Sequence, residues 1–141
     1  MDTLKRPFTQ YFKFFSAILL SSLLPFNVQA ACPNINCTNF SDATWTYIQN
    51  TYCNNPCVAN TNSAFDSAHC ASKQTMIDLC NALIADTSCS ETALRGGRIL
   101  GSATLTNDLG NLASNNCSAT KKGSMLYNSV VNQVTTMFPG P

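Results

Sequence analysis

Between Ser63 and Cys89 the apolar residues recur at helical spacing rather than in alternation. At about 100° per residue, Phe65, Ser72, Met76, Leu79 and Leu83 fall within roughly 60° of one another, with Gln74, Asp78 and Asn81 opposite. This pattern predicts an amphipathic helix with one face on a core. Ser63 is the expected N-cap, since its hydroxyl can accept from an otherwise unpaired backbone N–H. The polar tail Asp86-Thr87-Ser88 is the expected end. The alanines and serines around His69-Cys70 anchor little, so a break is easiest there.

The same reading extends to both sides. Ser41-Asp42 opens a first helix in which Trp45, Ile48 and Tyr52 share a face at spacings of three and four. Cys53-Asn54-Asn55-Pro56-Cys57 reads as a loop, because proline lacks a backbone donor and paired asparagines favour turns. From Ser90 to Asn116, Leu94, Leu105, Leu109 and Leu112 could form one apolar face, either on two short helices bent at Gly96-Gly97 or on a helix whose Ala93, Gly97 and Gly101 let a neighbouring backbone approach. Thr120 or Ser118 caps a last helix, with Tyr127, Val130, Val131, Val134, Met137 and Phe138 along one side and Pro139 at its end. The expected fold is therefore all-α, a small disulfide-cross-linked bundle of about four helices.

Residues 1–30 stand apart from this pattern. Lys5, Arg6 and Lys13 precede an apolar run, Phe14 to Leu24, and Val28-Gln29-Ala30 is a small-residue cleavage signal. The run is short of the ~20 residues that span a bilayer. The expected organisation is a cleaved signal peptide over 1–30 and one domain over 31–141, secreted or periplasmic. Residues 31–141 carry five basic and six acidic groups, a formal charge of −1. That near-neutral balance speaks against nucleic-acid partners.

All eight cysteines, Cys32, Cys37, Cys53, Cys57, Cys70, Cys80, Cys89 and Cys117, follow the leader. An even count behind an export signal predicts four disulfides, although about 105 pairings are open. The C-x3-C of Cys53 and Cys57, with His69 beside Cys70, could in principle ligate zinc, but thiols oxidise after export. The spacing lacks the adjacent Cys-Cys and the Cys-x-Cys of plant lipid-transfer proteins. It has one C-x9-C, at Cys70 and Cys80, where twin-cysteine hairpins need two.

Few residues carry chemistry. His69 is the only histidine, and Asp66 three residues before it could orient the imidazole on a helix. That pair defines a rival reading as a small hydrolase, but no nucleophile motif accompanies it. Arg95-Gly96-Gly97-Arg98 could hold an anion through a glycine turn and two guanidinium groups. No cofactor or phosphate-loop motif is present. The leading expectation is a non-enzymatic binding or interaction protein, facing a host or the cell envelope, whose partner is a protein or a small hydrophobic ligand. A carrier would need a cavity lined by Phe65, Met76, Leu83, Val134 and Phe138. A structural envelope component is the third reading.

Overall fold

The computed structural model describes residues 31–140, so the leader proposed over 1–30 lies outside the described residues. Local chemistry sets both helices. Helix α1 (Asp42–Ile48) begins where Ser41 Oγ accepts from the Thr44 backbone N–H at 3.0 Å. It runs on into a π-helical turn, Gln49–Cys53. Helix α2 (Lys73–Ala85) is capped by Ser72, not Ser63. Ser72 and Thr75 form a reciprocal box, each hydroxyl accepting from the other's backbone N–H, at 3.2 and 3.0 Å.

Ser63 is not available as a cap because the chain after it is extended. Ala64–Phe65 forms strand β1, paired with Asn111 and Gly110, and Ser63 Oγ accepts from Ala113 N. Phe65 thus reaches the core from a strand. The turn through His69-Cys70 separates the two elements, with both backbone N–H groups donating to the Asp66 carbonyl. Ser72→Ala is expected to destabilise the protein by about 1 kcal/mol and fray α2. Ser63→Ala should leave the helix signal intact; circular dichroism during thermal unfolding compares the two.

The expected all-α bundle is overturned. Beyond α2 the chain is strand: β2 (Ser90–Leu94), β3 (Arg98–Thr104), β4 (Gly110–Leu112), β5 (Ser118–Thr120), β6 (Lys122–Asn128) and β7 (Gln133–Pro139). Two antiparallel sheets result, a four-stranded one ordered β2-β3-β6-β7 and a three-stranded one ordered β1-β4-β5. The helical structure expected over 90–116 is replaced by the β2–β3 hairpin and the strand β4. Gly96 and Gly97 both take positive φ, +73° and +71°, and turn the chain between Leu94 and Arg98. The expected last helix is the β6–β7 hairpin.

That hairpin imitates a helix for a specific reason. Leu126 pairs with Thr136 but Tyr127 pairs with Val134, so Thr135 is an extra residue in β7. The bulge sets Val134 and Met137, both fully buried, three positions apart. A strand without the bulge would have put them on opposite faces.

The main sheet turns Met125, Tyr127, Val134 and Met137 toward the interior. Helix α2 lies across β3 and β6, and α1 lies along β7. Met76, Leu79, Cys80 and Leu83 of α2 meet the sheet, and all are buried. The outer edge of β7 is covered: Val134 N donates to Asn39 O, and Thr44 Oγ1 donates to Val134 O.

All eight cysteines are paired, as Cys32–Cys89, Cys37–Cys80, Cys53–Cys70 and Cys57–Cys117. The buried Cys37–Cys80 bridge joins the N-terminal lead to α2 beneath the sheet, with Cys80 Sγ 3.9 Å from Met125 Sδ. Four bridges in so small a protein fit an extracellular or other oxidising compartment. Among the described residues no helix is long and apolar enough to cross a membrane.

Candidate functional site

Three surface features stand out. The first is a groove of about 620 Å³ at the C-terminal end of β3. Its apolar surface is Leu105 with the exposed Ala68 and Ala82, over the buried Leu79 and Leu109, and His69, Asp78 and Asp86 stand among its walls. The 105–109 loop is pinned to the strand connection behind it, because Leu105 N donates to Lys121 O and Leu109 N to Thr120 O. Asp66 N donates to Leu109 O, and the Cys53–Cys70 bridge fixes the turn that carries His69. Asp86 accepts from the hydroxyl and the backbone N–H of Ser88, at 2.6 and 2.8 Å. Those bonds hold its carboxyl below the usual carboxylate range. Asp78 accepts from Gln74 Nε2 at 2.8 Å.

Asp66 and His69 meet through the backbone, His69 N to Asp66 O at 3.0 Å. Among the described residues no hydrogen bond joins their side chains. The thiol next to His69 is consumed in the Cys53–Cys70 bridge. Asp66 thus does not orient the imidazole through a side-chain hydrogen bond, and Cys70 is not a free nucleophile.

The second feature is a depression of about 530 Å³ between the π-helical turn and the small sheet. Tyr52, Phe138 and Leu112 supply apolar surface, and Asn60, Asn62 and Ser114 supply neutral polar groups. Tyr52 packs against Phe65 and Phe138, each ring centroid 6.3 Å away. Burial, with the neighbouring Tyr47 adding to it, raises the Tyr52 phenol above its ordinary value. No charged residue lines this depression. The carrier cavity expected from Phe65, Met76, Leu83, Val134 and Phe138 does not match these openings. Only Phe138 lines either of them, and the other four are buried in the main core.

The third feature is the tip of the main sheet, where the β2–β3 and β6–β7 turns sit side by side. Val130 is 77% exposed and Val131 55%. Leu94, Arg95 and Arg98 are exposed beside them. The two turns are clamped together, since Ser129 donates to Gly97 O from its backbone N–H and its hydroxyl, at 2.8 and 2.7 Å. Asn128 Oδ1 accepts from Val130 N, and Tyr127 donates its hydroxyl to Asn132. Two β-branched apolar residues are therefore held out in water on a well-tied turn.

Arg95 and Arg98 do not form a closed anion cradle. Arg98 Nε donates to the Arg95 carbonyl at 3.3 Å, and both side chains face solvent. The structure places them at one end of β3 and His69 at the other, so the three residues singled out from sequence belong to two sites. Val130 and Val131 were expected on a helix face. The turn formers around them, Asn128-Ser129 and Asn132, are the signal that marks a loop tip instead. No family model, no curated protein and no solved structure matches this chain.

Proposed function

We propose that this is a secreted recognition protein that works by binding rather than catalysis, with the sheet tip as its contact surface. One observation carries the reading: Val130 and Val131 stand exposed on a turn that hydrogen bonds hold in place. Loop tips of soluble proteins are normally polar, and exposed apolar groups that are also ordered favour association. Holding them in advance lowers the conformational entropy lost on binding. The disulfides serve the same end by keeping the scaffold rigid outside the cell.

The test uses the oxidised exported chain as bait in the native extracellular or periplasmic fraction. Val130→Asp/Val131→Asp is the paired control, since both positions are exposed and the fold should persist. The expected result is a partner retained by the native chain and held at least about tenfold less well by the variant. Equal retention by the two baits overturns the proposal. His69→Ala is expected to bind as the native chain does.

A further inference from the structure

The tip and the groove are opposite in charge and both apolar. At the tip, Arg95 and Arg98 are exposed, and no acidic residue occurs in 92–100 or 126–134. The nearest carboxylate along β2, Glu91, lies three residues before Leu94 and is turned to the N-terminal lead, accepting from Asn34 N and Nδ2 at 2.9 and 2.7 Å. At the groove, Asp78 and Asp86 line the walls, while Asp66 and Asp108 adjoin His69 and Leu109. Four of the six carboxylates in 31–141 thus gather at this end, against Lys121 and Lys122.

The two surfaces cannot meet within one molecule. Arg98 begins β3 and Thr104 ends it, next to Leu105 of the groove. Seven residues of strand hold them roughly 20 Å apart. We propose that the tip of one copy docks in the groove of a second copy. Val130 and Val131 meet Leu105 and the exposed Ala68 and Ala82 beside it, and Arg95 and Arg98 face Asp78 and Asp86. Asp78 lies on α2 and Asp86 is the residue that ends it, eight positions on and about 12 Å of helix rise away, which two long guanidinium side chains from one turn can straddle. The inference rests on the reading of the tip as a contact surface and adds its occupant.

Such a contact is heterologous: it joins two different patches and leaves a free tip and a free groove at the ends. The product is an open chain or a closed ring rather than a two-fold dimer.

Sedimentation velocity on the oxidised chain, at up to about 1 mM and low salt, tests this. Three further proteins complete the set: Arg95→Glu/Arg98→Glu, Asp78→Lys/Asp86→Lys, and their equimolar mixture. The native chain should grow in mass with concentration, and less so as salt rises and screens the pairs. Each variant alone should associate at least about tenfold more weakly. The mixture should recover association, because each variant retains the surface the other has lost. Circular dichroism checks that the variants remain folded.

A native chain that stays monomeric throughout overturns the inference. So does a groove variant that assembles as well as the native chain, the sign of a tip-to-tip contact, and so does a mixture that recovers nothing. A monomeric native chain that still retains a foreign partner through Val130 and Val131 would overturn the self-docking alone and leave the recognition reading standing.

Discussion

Replacing Cys37 and Cys80 together by alanine is expected to lower the unfolding free energy by about 4 kcal/mol. The bridge spans 43 residues, and closing a loop of that length removes substantial entropy from the unfolded chain. Both residues lie inside the core, Cys37 1% and Cys80 0% exposed, so their loss also loosens contacts with Met125. The Cys53–Cys70 bridge spans only 17 residues and is partly exposed. The same substitution there should cost less, about 3 kcal/mol. Urea unfolding under non-reducing conditions measures both. A loss below about 2 kcal/mol for the buried pair would show that this bridge does not restrict the unfolded chain as supposed.

Gly110→Ala should be nearly as damaging, for a different reason. Gly110 pairs with Phe65, and the two strands approach so closely there that an added Cβ would lie 2.1 Å from the Ala64 carbonyl oxygen and 2.8 Å from Phe65 Cα. Backbone atoms cannot rotate aside, so β1 and β4 must separate. The expected cost is about 3 kcal/mol, a fall of roughly 10–20 °C in Tm. Gly123→Ala is the control. Its nearest neighbours are the side-chain ends of Leu109 and Leu83, at 2.9 and 3.0 Å, which can shift by rotamer. It should cost about 1 kcal/mol. If differential scanning calorimetry gave the two variants the same Tm, close backbone approach would not explain Gly110. The Gly110 variant should also disturb the groove, because the Asp66 N–H to Leu109 O bond joins the same two segments.

The parts of the fold governed by near neighbours were legible before the structure. Ser41 caps α1 because cap and helix are adjacent in the chain. Met76, Leu79 and Leu83 form the buried stripe of α2 because helical spacing is a local property. The site was legible only in fragments. His69, Arg95 and Arg98 stood out as the lone histidine and a pair of arginines, but nothing in their order placed them at opposite ends of β3. Val130 and Val131 were hidden by their own hydrophobicity, since apolar residues near Val134 and Met137 read as one face of a helix.

By itself, then, the chain's order determined the start of α1 and the buried stripe of α2, the near-neutral charge and, through an even cysteine count, the commitment to four bridges. The pairing of those cysteines, the sheets and the placing of tip and groove at opposite ends of β3 were decided only in three dimensions. The reason is physical. Much of the interior face of the main sheet is glycine and alanine, Gly101, Ala103 and Gly123, so that Ile35 and Leu83 can pack against the backbone. The apolar groups filling those positions belong to distant parts of the chain. Strand alternation is therefore too faint to read along the sequence and becomes visible only where the neighbours arrive.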